Sequence, residues 1–315
     1  MKPLDTPNIV KTVGNCASIA ALLEASAYPK PGNVHRLNDL ENTSYEHFLA
    51  GSVSLGSTMG RLAERSYNLE DWESIGLGRC IRDAVDEMFI WQNGGNIHLG
   101  VILLFAPLAA AAGATFLDKE FDVMRLKEYT QQIISRATSR DSVDIYAAIE
   151  RAMSQKNLGS TEDLDVNDQQ SIKRIIKENI TPLKIFELCK DRDMICHEWV
   201  TGFSTIFEKG YPHLRYRIKS GADINDATID TFLSILTEYP DSLIQRKMGR
   251  DAAQKVSNRA REILQAGGTG TVKGKEKLWR LDEELKKEKG LLNPGTTADL
   301  TAGSLFILLL SGWRP

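Results

Sequence analysis

The chain has 315 residues, of which 42% are hydrophobic and 26% are charged, and this length and composition allow a sizeable buried core. The formal net charge is only -3, and the basic residues are interspersed with acidic ones. Such a balance excludes an extended basic face, so we expect no nucleic-acid partner.

Two apolar stretches, 99–117 and 300–313, raise the question of a membrane. Pro107 interrupts the first stretch, and the second is shorter than the roughly 20 residues that span a bilayer. We interpret both as buried core helices. The first five residues lack the charged start and apolar run of a secretory signal, so we expect a cytoplasmic protein without membrane association.

Apolar residues recur at helical spacing along almost the whole chain, and few segments alternate with a period of two. The pattern predicts an all-α fold, a single large multi-helix domain of residues 1–315 with buried apolar helices at its centre. A polar, turn-rich segment at 157–170 predicts a long loop or an internal boundary. The predicted helices cover residues 15–27, 45–63, 71–92, 99–112, 121–135, 143–154, 170–179, 183–207, 228–237, 250–266, 275–289 and 297–310.

Several motifs that would identify a site at once are absent. The four cysteines form no Cys-x-x-Cys pair, and buried reduced thiols are predicted for them, as in a reducing cytosol. The glycine-rich segment 267–275 does not match a P-loop, and Thr201 stands where a zinc-protease helix beginning at His197 would carry its second histidine. The residues around His197 predict either a second acidic cluster or an exposed helix edge: Asp191, Asp193 and Glu198.

The first candidate site combines Glu24 with the loop 29–32. Two prolines and a glycine predict a stiff loop at a helix end, and stiffness reduces the ordering entropy that substrate binding would otherwise cost. Glu24 shares a helix face with Ala17, Ala20 and Ala21, and a carboxylate on such a closely packed face is expected to have a function. The spacing is also compatible with an acid that caps a neighbouring helix or pairs with an arginine.

The second candidate site is the segment 94–100, directly before the most apolar helix. Asn96 is suited to cap this helix, whose free amide groups would attract an anion such as phosphate. His98 could donate a hydrogen bond to a phosphate or act as an acid or base. A capped helix with a histidine held by polar core groups remains the alternative.

The third candidate site is the segment 293–300, at the start of the last apolar helix. Thr296 and Asp299 have the spacing of a capping box, which is a structural explanation for both. Asp299 also shares a helix face with Ala302 and Phe306, and this position predicts a carboxyl group that points inward.

The fourth candidate site is the basic segment 242–250. Three basic residues close to a glycine could bind a triphosphate, and a solvated basic turn explains them as well: Arg246, Lys247 and Arg250.

Three of these blocks, in this order and near these separations, resemble the triphosphoribosyl-dephospho-CoA synthase family. The family pattern has a glutamate shortly before a Pro-Lys-Pro-Gly loop, a polar turn with a histidine that opens an apolar helix, and a closing segment similar to Asn-x-Pro-Gly-Gly-x-Ala-Asp-Leu. The matching parts of this chain are Glu24 with Pro29–Gly32, Asn96–Gly100 and Asn293–Leu300. The resemblance spans about residues 15 to 310.

The resemblance implies an all-helical enzyme that transfers the triphosphoribosyl group of ATP to 3'-dephospho-CoA and releases adenine. It implies catalytic roles for Glu24, His98 and Asp299. The two carboxyl groups could also bind Mg²⁺, and His98 could bind phosphate or the leaving group. ATP and dephospho-CoA are then the substrates, Mg²⁺ is the expected cofactor, and a homo-oligomer is compatible with the family. The expected substrate-binding residues are Lys30, Gly32, Asn33, His35, Asn96, Arg246, Lys247, Asn293 and Gly295.

The chain departs from the family pattern in the segment 38–48, which is shorter and carries Tyr45-Glu46-His47-Phe48, and at three single positions. His35 replaces an aspartate, Leu99 a lysine and Thr296 a glycine, as in a divergent branch similar to archaeal members. Two alternatives therefore stay open. One is ribosyl or nucleotide transfer to a different cofactor precursor, and the other is a non-catalytic protein that binds nucleotide or CoA.

Overall fold

A computed structural model describes residues 6–69, 71–118, 121–153, 164–166 and 168–315 of the chain. A 3₁₀ turn precedes the third helix, a π-helical turn precedes the tenth, and another 3₁₀ turn precedes the fourteenth. The α-helices of this described part are α1 (Thr6–Ser26), α2 (Tyr45–Asn68), α3 (Leu77–Trp91), α4 (Leu99–Thr115), α5 (Val123–Arg136), α6 (Ser139–Ala152), α7 (Gln169–Lys177), α8 (Pro182–Glu187), α9 (Met194–Thr201), α10 (Tyr211–Lys219), α11 (Ile224–Glu238), α12 (Ser242–Met248), α13 (Arg250–Gln265), α14 (Val272–Lys286) and α15 (Gly295–Leu310).

The all-α prediction is confirmed. Within the described ranges, β-type pairing is limited to two isolated bridges in the segment between α1 and α2. The predicted loop or boundary at 157–170 falls largely on residues outside the described part. Of its described residues, Leu164 is buried in a small apolar cluster with Tyr146, Ile175 and Ile180, and Gln169 begins α7.

The core is built around α4 and α15, which are apolar on all sides. Such helices are buried all round, because no face of them is stabilised by water. Their aromatic side chains meet at Phe105 and Phe306, whose ring centroids lie 4.5 Å apart, and α4 also packs against α2 and α5. Both apolar stretches are therefore core helices, as predicted. Across the described residues, every helix is too short or too polar to cross a membrane.

The predicted continuous helix at 183–207 is wrong. The segment folds as α8, α9 and the π-helical turn that follows them. Asp193 begins α9, since its Oδ1 accepts hydrogen bonds from the amide groups of Ile195 and Cys196 at 2.8 and 3.3 Å, and Gly202 ends it. Apolar residues continue at helical spacing through both breaks, so periodicity alone could not detect them.

Two further helices were not predicted. The basic segment 242–250, for which triphosphate binding and a solvated turn were the two interpretations, forms α12 with Asp241 as its N-cap. Helix α10 follows the π-helical turn without a break in the chain. Both helices are short, and a segment of two turns carries too few apolar positions for a clear period.

Candidate active site

One cavity, with a volume of about 520 Å³, lies where the first turns of α4 and α15 meet. Gly100, Gly295 and Asp299 are the three residues of these two helices that are not fully buried, and all three line this cavity. The rest of the wall includes residues from the end of α1, from α6, α8 and α12, and from the segment that joins α8 to α9. The candidate segments that carry Glu24, Asn96 and Asp299 therefore meet at this cavity. The fourth candidate segment contributes to the same cavity as the basic helix α12.

Glu24 lines the cavity and forms a buried ion pair with Lys30. Glu24 is 3% exposed and Lys30 is fully buried, and the Lys30 ammonium donates a hydrogen bond to Glu24 Oε1. Burial raises the pKa of Glu24 and lowers the pKa of Lys30, while the attraction between the two charges opposes both shifts. Lys30 lies behind the cavity wall, so it holds Glu24 rather than the predicted triphosphate.

The loop after α1 is fixed from behind by Asp282. Gly32 adopts a left-handed conformation (φ 70°) that a side chain would strain, and its amide donates to Asp282 Oδ1 at 3.1 Å. His35 is fully buried, and its Nε2 lies 3.3 Å from Asp282 Oδ2. Gly32 and His35 do not line the cavity, so these predicted substrate-binding residues instead hold the loop that positions Asn33, which does line it.

Asp299 lies beside Glu24 and packs against the first turn of α4. A Cβ atom at position 100 would lie 2.0 Å from Asp299 Oδ2, so only a glycine leaves room for this carboxyl group. The pKa of Asp299 is raised well above its usual range by burial and by the negative charges of Glu24, Asp241 and Asp193. The protonated form of Asp299 is therefore favoured more than in an exposed aspartate.

The capping box suggested for Thr296 and Asp299 is not formed. The Thr296 hydroxyl group instead accepts a hydrogen bond from Ser242 Oγ at 3.0 Å, and the buried carboxyl group of Asp241 caps α15 through Thr297. Asp299 is consequently free of any capping role, and its inward position agrees with the face that it shares with apolar residues.

The turn before α4 places Asn96 and His98 in the cavity wall. Asn96 Oδ1 accepts a hydrogen bond from the Leu99 amide at 3.1 Å, so it caps the helix as predicted. His98 is 1% exposed, and burial lowers its pKa to about 4. Its imidazole ring is therefore neutral at neutral pH and cannot act as a cationic phosphate donor.

The hydrogen bonds of His98 fix which of its nitrogens carries the proton. The Ser52 hydroxyl group donates to the Phe48 carbonyl oxygen at 2.6 Å, so its remaining contact, 3.0 Å from His98 Nε2, is one in which it accepts. Nε2 then carries the proton, and Nδ1 is an acceptor. No donor in the described part of the chain reaches this Nδ1 atom.

Two arginines supply positive charge to the cavity. Arg246 lines it and pairs with Asp193 at 3.3 Å. Arg192 also lines it and is exposed, and its guanidinium group has no ion pair within the described ranges. Lys247, by contrast, donates to the Gly290 carbonyl oxygen at 3.0 Å and lies outside the wall, contrary to its predicted substrate-binding role.

Sequence reasoning missed part of this wall. Asn293 and Gly295 line the cavity as predicted, and so do Arg192, Gln245 and Phe48, for which no role was predicted. No motif marks these three side chains, because they reach the cavity only through the packing of helices that are distant in sequence. The apolar part of the wall was missed for the same reason: Leu103, Ile149, Met153, Ile185, Phe186 and Ile195.

The prediction of four reduced cysteines is wrong for one pair. Cys189 and Cys196 form a disulfide, with Cα atoms 5.9 Å apart, and both residues line the cavity. Cys16 and Cys80 are free and buried, as predicted. A spacing of seven residues is no recognised cysteine motif, and the break between α8 and α9 that brings the two thiols together was itself not predicted.

A cavity with paired carboxyl groups in its depth and guanidinium groups at its exposed side is typical of an enzyme that performs acid–base chemistry on an anionic substrate. Residues 10–315 match the sequence profile of the family described as ATP:dephospho-CoA triphosphoribosyl transferase. The chain belongs to this family, and it is therefore a ribosyl transferase.

Individual relatives agree with this assignment. A 2-(5''-triphosphoribosyl)-3'-dephosphocoenzyme-A synthase of Klebsiella pneumoniae is 24% identical over 318 residues, covering 99% of this chain and 99% of that protein. A protein of Stutzerimonas stutzeri named for the same synthase is 30% identical over 306 residues, covering 96% of this chain and 92% of that protein. A crystal structure named for a triphosphoribosyl-dephospho-CoA synthase of Archaeoglobus fulgidus superimposes with a TM-score of 0.65 and 26% identity, covering 86% of this chain and 100% of that one.

Proposed function

We propose that this cavity transfers the triphosphoribosyl group of ATP to a hydroxyl group of 3'-dephospho-CoA and releases adenine. The observation that carries the proposal is the position of Asp299 beside Glu24 in one cavity, with different partners around the two carboxyl groups. Membership of the family supports the overall reaction, and the geometry supports the division of roles between the two acids.

Cleavage of the bond between ribose and adenine leaves positive charge on the ribose, which an ionised carboxylate stabilises. Glu24 is the carboxylate for this role, because the Lys30 ammonium donates a hydrogen bond to it and opposes the rise in pKa that burial causes. Adenine needs a proton as it leaves, and Asp299, whose pKa is raised, is the acid that supplies it. The acceptor hydroxyl loses its proton to Glu24, so the two carboxyl groups exchange protonation states during the reaction.

The triphosphate remains attached to the ribose throughout and needs compensating positive charge. Arg192 and Arg246 are placed for this task at the exposed side of the cavity, and guanidinium groups bind phosphate oxygens in pairs. The apolar part of the wall, formed largely by α6 and α8, is suited to the uncharged arm of dephospho-CoA.

Magnesium belongs to the proposal as well. Glu24, and Asp299 in its ionised form, offer the oxygen ligands that Mg²⁺ prefers. In the described part of the chain, no cluster of three or more His, Cys, Asp or Glu side chains has a metal-binding arrangement. The ion would therefore take most of its ligands from the triphosphate and water, and it would neutralise phosphate charge.

The direct test is to incubate the protein with ATP, Mg²⁺ and dephospho-CoA and to measure free adenine by chromatography. We expect adenine release by the wild type and a loss of about 100-fold or more in Glu24→Gln and Asp299→Asn. Glu276→Gln, which changes an exposed acid on α14, is the matched control and should keep full activity. If the wild type releases no adenine with dephospho-CoA, the proposed acceptor is wrong.

A different acceptor is the second candidate, and two positions favour it. Leu99 lines the cavity where the family pattern has a lysine, and Thr296 lines it where the pattern has a glycine, whereas His35, the third departure, lies behind the wall. A panel that compares dephospho-CoA with CoA and pantetheine phosphates, assayed by adenine release, distinguishes the acceptors. Both ATP and dephospho-CoA are cytoplasmic metabolites, which supports the predicted cytoplasmic location; a homo-oligomer stays a prediction.

A further inference from the structure

The disulfide between Cys189 and Cys196 lies in the wall of the cavity, and the mechanism proposed above does not use it. The bridge joins the segment after α8 to the first turn of α9. Between its two ends lie Arg192 and Asp193, both of which also line the cavity. The covalent ring therefore contains one of the two arginines assigned to the triphosphate and the acidic partner of the other.

Cys189 also holds this segment through its backbone. Its carbonyl oxygen accepts hydrogen bonds from the amide groups of Arg192 and Asp193, both at 3.0 Å. Asp193 is fixed further by its cap on α9 and by its ion pair with Arg246. The Arg192 side chain has no such contact within the described residues, so its position depends on the turn that Cys189 anchors.

We propose that the Cys189–Cys196 bridge positions Arg192 for the triphosphate of the nucleotide, so that reduction of the bridge weakens nucleotide binding without changing the chemical step. The inference rests on the proposed function only in taking a triphosphate as the ligand. Reduction by a dithiol converts the disulfide to two thiols, while the dithiol becomes a disulfide and the atoms and electrons balance. Cys189 is only partly buried and faces an open cavity, so a small reductant can reach it.

Reduction weakens nucleotide binding because the segment that carries Arg192 must then lose conformational entropy when the nucleotide binds. Without the bridge, the segment between α8 and α9 keeps only its hydrogen bonds, and Arg192 then samples positions away from the phosphate. Ordering it again on binding lowers affinity, whereas Glu24 and Asp299 are carried by other helices and keep their places. Disulfides of cytoplasmic proteins are commonly transient and redox-sensing, which agrees with a regulatory use of this one.

The test compares oxidised and reduced protein in the adenine-release assay, together with direct ATP binding by calorimetry. A thiol titration of the denatured protein first establishes that the oxidised form has two fewer free thiols than the reduced form. We expect reduction to raise the KM for ATP and its Kd about tenfold, with kcat changed less than twofold. The variant with Cys189→Ser and Cys196→Ser should have the reduced values under both conditions.

Two further variants separate this role from a general effect on the fold. The paired substitution Cys16→Ser and Cys80→Ser, at the free buried cysteines, should leave the redox response intact. Arg192→Met should raise the KM for ATP and make it insensitive to reduction, because the bridge would have no arginine left to position.

The results that decide the role of the disulfide differ from the results that decide whether the protein performs the proposed transfer. If oxidised and reduced protein bind ATP equally, or if Arg192→Met retains the full redox response, the inference is overturned while adenine release still supports the proposed function. If ATP binding responds to reduction as expected but no adenine is released, the inference holds and the proposed reaction fails.

Discussion

Asp241 Oδ2 accepts hydrogen bonds from both the amide and the hydroxyl group of Thr297, at 2.7 and 2.8 Å. The other oxygen of the same carboxylate, Oδ1, accepts from the amides of Leu243 and Ile244 at 2.9 and 3.1 Å. One fully enclosed carboxyl group therefore caps two helices, α12 and α15. Because these helices carry Arg246 and Asp299, Asp241 fixes the distance between the basic and acidic parts of the cavity.

Asp241→Asn tests this double cap. An asparagine can offer an acceptor to only one of the two helices, and its amide group would face donors at the other, so we expect a stability loss of about 2–3 kcal/mol. Asp223→Asn is the matched control, because Asp223 is an exposed N-cap of a single helix, α11, and should cost about 1 kcal/mol or less. Urea denaturation of both variants measures the difference, and equal losses would contradict the double role.

Gly100→Ala tests the close packing of Asp299 against α4. The added methyl group would displace the carboxyl group, since its ideal position lies 2.0 Å from Asp299 Oδ2, and a displacement of this size lowers kcat by about 100-fold. Alanine favours helix more than glycine does, so helix propensity cannot explain a loss.

The control for this variant is Gly270→Ala, where an added Cβ would meet no atom within 4 Å. Adenine release should fall in Gly100→Ala and stay unchanged in Gly270→Ala, with circular dichroism verifying the fold of both. Full activity of Gly100→Ala would show that Asp299 does not need its present position.

The fold was predictable because its main signal is local. Helical spacing of apolar residues identified α4 and α15, and their all-round apolarity identified them as central. The same reasoning found the loop-to-helix segments that carry Glu24, Asn96 and Asp299, since prolines, glycines and caps mark such junctions in the sequence itself.

The rest of the site depends on contacts between residues that are distant in sequence. Lys30 has the charge of a phosphate ligand, and nothing in the sequence shows that its ammonium group turns back to Glu24. His35 is fixed by Asp282, 247 positions further on. Arg192 reaches the cavity only because α8 ends early, a break that apolar periodicity does not reveal.

His98→Asn tests the neutral state of the buried histidine. Because the pKa of His98 is lowered to about 4 in the folded protein, from about 6.5 in an unfolded chain, the unfolded state binds a proton that the folded state refuses. The wild type therefore loses up to about 3 kcal/mol of stability from this residue as the pH falls from about 6.5 to 4. The His98→Asn variant should lose less stability than the wild type over the same pH range, by this amount. Urea denaturation at a series of pH values measures the two curves, and parallel curves would contradict a lowered pKa.

Asp299→Asn tests the raised pKa of Asp299. Its expected effect on the pH dependence of stability is opposite to that of His98→Asn. The folded protein holds the Asp299 proton at pH values where the unfolded chain has already lost it, so stability falls as the pH rises through this window. The asparagine variant lacks this loss. It should be more stable than the wild type at pH 7–8 by about 0.5–2 kcal/mol, the usual gain when a strained active-site group is relieved, although adenine release is lost.

The pH dependence distinguishes this electrostatic cause from improved packing. The advantage of Asp299→Asn should shrink towards zero as the pH falls to about 3, because Asp299 is then largely protonated in the unfolded state as well as in the folded state. Asp191→Asn, at an exposed position on the neighbouring segment, is the control and should show no such trend. A gain that is constant from pH 4 to 8 would mean that Asp299 is ionised in the free enzyme, and the proton for adenine would then have to come from another group.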